Sequence, residues 1–261
     1  MHDREEYPSE EQTAENVATY LTLPERRNAG NPNKELPRTL GSFLVENRYI
    51  TGIDMWRGSW GCKYENGTIY LNDRPMSDEQ YNYYIFRIGE NPATGEQLFT
   101  ENGDEADQYR FLHETGHAYQ QYLMDQECPD NPGDWYNKVV AGSITSTFGK
   151  LWKSCYNNRK RDREQGGLST WGNVPDYNSL PQPSQNAVRA LEDANELVTM
   201  YLWHPHYLRT FLHYISGQIP GYGETNLRED KLTKITPEAA ESLYDGIARY
   251  VEAMKLNTNK H

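Results

Sequence analysis

His113-Glu114-Thr115-Gly116-His117 lies within Asp104 to Gln126, a stretch that reads as one helix. Asn102 or Asp104 can cap it, acids fill the first turn, and Pro129 stands beyond its end. Positions i and i+4 share a helical face, so two imidazoles converge on one point while Glu114 projects beside them. Apolar Phe111, Leu112, Ala118, Tyr119 and Leu123 surround the motif, which predicts a buried helix rather than a solvated one. This chain's own His and Glu frequencies would produce the spacing by chance roughly 0.02 times. Two imidazole nitrogens on one rigid element make only part of a metal site. The chain therefore has to fold so that a second, distant element supplies a further ligand, and this constrains its architecture more than any other feature.

Candidates for that ligand differ in what they can do besides binding. In Ala190-Leu191-Glu192-Asp193-Ala194-Asn195-Glu196, the acids Glu192 and Glu196 stand i and i+4 on a predicted helix, which resembles the gluzincin pattern, where one acid reaches the metal and the acid one turn later holds a ligating histidine. Were Glu196 the ligand, its own i+4 partner would be Met200, which cannot orient an imidazole, so Glu192 is preferred. Asp176, in Trp171-Gly172-Asn173-Val174-Pro175-Asp176, and Cys62, in Ser59-Trp60-Gly61-Cys62-Lys63, are the remaining candidates.

With these motifs the chain resembles the zincin metallopeptidases, and within them the gluzincins. The metzincin pattern is excluded, because Gln120 and Leu123 stand where that branch has Gly and a third His. The resemblance spans about residues 65 to 205 and rests on the two short motifs. It implies an α+β, zincin-like fold in which a small mixed or antiparallel sheet packs on the HExxH helix and a mainly helical C-terminal half follows. It implies Zn2+ held by His113, His117 and Glu192, with Glu196 behind His113, and Glu114 as the general base toward a zinc-activated water. It also implies a peptide or protein substrate lying along an edge strand, for which Thr68 to Asn72 is the candidate. The group opposite zinc at the oxyanion would be sought among Tyr177, His204, His206 and His213.

Elsewhere the pattern is coarser. Residues 1–40 read as a polar arm with a short helix near Glu15 to Leu23, and 41–261 as one catalytic domain with lobes of about 41–127 and 128–261. Ser42 to Val45, Tyr49 to Trp56 and Gly67 to Asp73 read as strands, while Tyr81 to Ile88 suits either a strand or a short helix. Helices are predicted at Trp135–Cys155, Gln185–Trp203, Tyr207–Ile215 and Pro237–Leu256. The last has Thr236 as cap and Leu243, Ile247, Val251 and Met254 on one face. A polar, proline-rich loop is predicted between 157 and 186.

Net charge is −12, with no large cationic face in the sequence, which argues against a nucleic-acid partner. No apolar run approaches a membrane span, and Met1 to Glu6 holds no apolar signal core. Three cysteines without metal-ligand spacing indicate neither a disulfide framework nor a cysteine zinc site. The 20 Tyr and 6 Trp fit an exported protein better than a cytosolic one, and they require a core of rings whose OH and NH groups find partners. The expected activity is zinc-dependent peptide hydrolysis. The alternatives are a catalytically silent zincin-like binding domain, or a secreted toxin or effector peptidase of narrow specificity.

Overall fold

The structure, a computed structural model, describes residues 9–23, 28, 30–56, 62–72, 103–161, 168, 182–218 and 234–259, and structural statements concern these. The helices are α1 (Glu10–Tyr20), α2 (Leu36–Glu46), α3 (Gly103–Glu127), α4 (Trp135–Ala141), α5 (Thr147–Arg161), α6 (Gln182–Trp203), α7 (Pro205–Ile215) and α8 (Pro237–Thr258); the strands are β1 (Gly52–Trp56), β2 (Lys63–Glu65) and β3 (Thr68–Asn72). The fold is mixed α+β and mostly helical, with one small sheet. No described helix is long and apolar enough to cross a membrane.

Ser42 to Val45 is not a strand, because it forms the last turns of α2. Pro37 sits in the first turn of that helix, and Leu36, Leu40, Phe43 and Leu44 recur at helical spacing and are buried. The β-favouring run Phe-Leu-Val is local, and the longer period overrides it. The segment read as a polar arm carries α1, capped by Ser9, whose hydroxyl accepts from the Gln12 N–H at 3.2 Å. Val17 and Leu21 of α1 are buried against Gly41 of α2, where any Cβ would collide with both. Asn31 is buried too, and its amide donates to the carbonyls of Leu202 and Trp203 at 3.2 and 3.1 Å. It thereby satisfies the C-terminal end of α6.

The sheet is mixed, in the order β1-β3-β2. β1 runs parallel to β3, with Gly52 opposite Thr68, and β2 runs antiparallel to it, with Tyr64 opposite Ile69. Thr68–Asn72 is therefore the central strand, and the edges among the described residues are β1 and β2, the second of which the sequence reading lacks. β2 and β3 are joined by Asn66-Gly67, both at positive φ (50° and 83°), the two-residue hairpin turn that Asn-Gly favours. Tyr81 to Ile88 lies outside the described residues, as does most of the predicted 157–186 loop.

Helix α3 packs on β2, β3, α2 and α6, and it is buried from Tyr109 to Leu112 on almost every side. The helix expected over Trp135–Cys155 is two, because Gly142 adopts a left-handed φ of 81° and ends α4. Helices α4 and α5 then close an aromatic cluster. Trp135 stacks on Phe148 at 4.8 Å and Trp152 on Tyr156 at 4.9 Å, while the Trp152 indole N–H donates to the Ala187 carbonyl at 3.1 Å. The Trp135 indole N–H likewise donates to Glu127 at 2.7 Å, so these two polar tips find partners as burial demands. α8 is capped by Thr236, and its Leu243, Ile247, Val251 and Met254 are buried.

Asn31→Ala removes two buried hydrogen bonds to α6 and should cost about 1–3 kcal/mol, whereas Met55→Ala, at a side chain 55% exposed, should stay within about 0.5 kcal/mol. Urea unfolding of the two variants beside the parent checks this, and equal midpoints would show that the N-terminal segment contributes nothing to the fold.

Candidate metal centre

Helices α3 and α6 meet at Gly116. A Cβ there would collide with the Asn195 side-chain oxygen, so glycine in the motif's fourth position allows the approach. Asn195 uses the proximity to donate its amide N–H to the His113 carbonyl at 2.7 Å. One residue on, Glu196 accepts from His113 Nδ1 at 2.9 Å, and the Tyr109 hydroxyl donates to the other oxygen of the same carboxylate at 2.7 Å. One turn earlier on α6, Glu192 turns its Oε2 toward both histidines.

His113 Nε2 and His117 Nε2 stand 3.1 Å apart, and Glu192 Oε2 lies 3.4 Å from the first and 3.3 Å from the second. Donor atoms held ~2.0–2.1 Å from a tetrahedral ion are about 3.3 Å from one another, so the triangle has the dimensions of three corners of such a site. The nitrogen-rich set suits a transition metal better than magnesium or calcium, which take oxygen ligands. Among the described residues, this is the group of histidine, cysteine or acidic side chains able to hold an ion. Of the alternatives raised from sequence, Glu196 sits behind His113 rather than in the triangle, Cys62 is half-buried and outside it, and Asp176 lies outside the described residues.

The tautomers follow from the outer contacts. A carboxylate can only accept, so His113 carries its proton on Nδ1 toward Glu196. His117 Nδ1 lies 3.0 Å from Gln120 Oε1, and the Gln120 amide is oriented because its Nε2 donates to the Leu191 carbonyl at 3.2 Å. Each imidazole is thus turned so that its Nε2 lone pair faces the centre. Gln120 is the residue that departs from the metzincin glycine. Its place three positions after His117, and that of Tyr109 four before His113, were the sequence signals for both contacts. No family model, curated protein or solved structure matches this chain.

Burial, then the carboxylates, decide the charge state. Burial disfavours the charged His113, but Glu192 and Glu196 outweigh it and hold the imidazole well above its ordinary 6.5. His117 is raised in the same way, against burial, by Glu192. Glu192, despite burial, is held well below its ordinary 4.5 by His117 and His113. Glu114 moves upward because burial outweighs the two imidazoles, although the backbone of Tyr64 in β2 opposes the rise. The histidines expected to line the oxyanion side have other duties. His204 caps α7, its Nδ1 accepting from the His206 N–H at 3.2 Å, and His213 lies 3.5 Å from Glu241. Tyr177 is outside the described residues. Tyr136 of α4 is pushed up to about 12 by burial and then by Glu192, which brings a phenol that sequence reasoning missed within electrostatic reach of the triangle.

Two outcomes follow. Imidazoles raised in the metal-free fold stabilise it below about 6.5 and lose that contribution as pH rises through their folded values; lowered Glu192 stabilises it above about 4.5 and loses it as pH falls. The same ion pairs are seen from both sides, so metal-free protein should be most stable between those limits, and metal must displace protons at pH 7. Calorimetric titration with Zn2+ in buffers of different ionisation enthalpy should report release of about one proton or more, and release of none would contradict the raised imidazoles. Glu196→Gln should leave the triangle in place and weaken metal binding about 10- to 100-fold, measured by competition with a chromophoric chelator.

Proposed function

We propose that the chain is a zinc-dependent peptidase of zincin-like, gluzincin type. What supports this reading is the convergence of His113, His117 and Glu192 from two helices at mutual distances of 3.1–3.4 Å, with Glu114 alongside. His113 and His117 as neutral imidazoles and Glu192 as carboxylate would hold the ion and leave its fourth position open. Zinc there would supply Lewis acidity, polarising a peptide carbonyl and lowering the pKa of a water toward about 7.

The protein's own part is proton handling and positioning. Glu114 is buried, and its pKa is raised toward the range in which a carboxylate works as a base near neutrality. It would take the proton of the attacking water and deliver it to the departing amine. β2 packs on α3 and the Tyr64 backbone acts electrostatically on Glu114, so the base would sit beside the sheet. Tyr136 keeps its proton well past neutral pH and is the candidate donor for the developing oxyanion. A substrate extended along the β2 edge would pass directly over Glu114.

Glu114→Gln should retain zinc at wild-type stoichiometry and lose about 10²–10⁴-fold in cleavage of a peptide pool read by mass spectrometry. Wild-type protein that holds zinc and cleaves nothing would favour the silent binding domain, and protein that takes up no zinc would remove both readings.

A further inference from the structure

Arg110 lies in α3 four residues before Glu114, hence on the same helical face with side-chain roots about 6 Å apart. Helical side chains lean toward the N-terminus, which carries its guanidinium one turn back to Asp107, where Nη1 donates to Oδ1 at 3.1 Å. The match is uneven: the Arg110 side chain is 4% exposed and that of Asp107 48%. Asp107 is its one partner among the described residues, and Nε is buried with no acceptor. A guanidinium offers five N–H groups, and a buried cation satisfied at one of them, by a half-exposed acid, is both under-bonded and under-neutralised. What fits the remaining edge is a second planar acceptor able to take two parallel hydrogen bonds.

The surroundings say where such an acceptor would come from. Tyr20 at the end of α1 stacks on Phe111 at 4.8 Å, and its phenol, raised first by burial, feels both Asp107 and Cys62. β2 packs against α3, the helix that carries Glu114 and Arg110. An extended chain advances about 6.7 Å over two residues, and the helix about 6 Å from Glu114 back to Arg110. A peptide extended on the edge of β2 would set one residue beside Glu114 and another, about two positions away, beside Arg110.

We propose that Arg110 anchors a carboxylate subsite: it binds an acidic side chain, or a free C-terminal carboxylate, about two residues from the bond attacked at Glu114. This rests on the peptidase reading for its place in catalysis, but not for the anion site itself. The −12 charge of the whole chain does not oppose it, since net charge governs the distant field and not a buried pocket.

The test uses zinc-loaded protein and matched fluorogenic peptides that differ only in Glu against Gln at each position flanking the scissile bond, and in free acid against amide at the C-terminus. At one position wild type should prefer the carboxylate by about tenfold or more in kcat/KM, and which pair shows the preference identifies the source. In Arg110→Met that ratio should fall toward one whatever the absolute rate, with Arg110→Lys intermediate. Ratios near one in wild type at every position, a comparison that depends on no variant folding, would overturn the proposal. Calorimetry with N-acetylglutamate separates the two readings. Saturable binding to wild type that is lost in Arg110→Met supports the subsite even if no peptide is cleaved, an outcome that sinks only the peptidase reading. Absence of binding together with absence of a preference overturns the subsite.

Discussion

The contact of α3 with α6 at Gly116 and Asn195 is the constraint on which the site depends. Both histidines come from one helix and Glu192 from another, so the 3.3–3.4 Å distances from Glu192 to the imidazoles are set by how closely two backbones approach. Gly116 removes the side chain that would hold them apart, and Asn195 locks the approach by bonding the His113 carbonyl. The surrounding architecture keeps α6 in place. Asn31 ties down its C-terminal carbonyls, the Trp152 indole holds the carbonyl of Ala187, and α5, α7 and α8 pack against its length. The aromatic core is therefore part of the geometry of the candidate site, since it fixes the helix that brings the carboxylates.

The outer contacts of the two imidazoles are unequal. His113 donates to a carboxylate that is itself held by the Tyr109 hydroxyl, whereas His117 faces a neutral amide supplied by its own helix. A carboxylate partner makes an imidazole more electron-rich than an amide does, so His113 is the stronger donor of the pair. Glu196 also places a second carboxylate on His113, at the ring nitrogen opposite the one that faces Glu192. Without a cation, two carboxylates and two imidazoles must share protons in a buried space, at a desolvation cost that ion pairing only partly returns. That tension is what a bound ion would relieve.

The legible parts of the molecule were those set by helical spacing. His113, Glu114 and His117 follow from i and i+4, and so does the division of labour between Glu192 and Glu196, because only a ligand at Glu192 leaves an acid one turn on to face an imidazole. The bounds of α3 and α8 followed closely from caps and prolines, whereas α6 begins three residues, and α7 two, before the expected start. What escaped was short or tertiary. β2 is three residues, Lys63-Tyr64-Glu65, too few to show a period, although Asn66-Gly67 marked a hairpin and so required a strand before it as well as after. Missing β2 made β3 look like the edge. Ser42 to Val45 misled because three β-favouring residues in a row outweigh a helical period when the window is short. Arg110 gave no signal at all, since its burial is decided by elements far from it in sequence.

β2 is more consequential than its length suggests. Its Tyr64 hydroxyl is anchored to the Tyr49 carbonyl at 2.8 Å, just before β1, and Tyr49 in turn donates to Asp125 of α3 at 2.9 Å. The strand that packs on α3 is thus tied, through two tyrosines, to the C-terminal part of the same helix. A three-residue edge would fray if left to its ladder alone. These ties hold it against α3 instead. On the proposed peptidase reading, preorganisation of that kind would let binding energy at Arg110 be used at Glu114, because both stand on one face of a single helix at a fixed spacing.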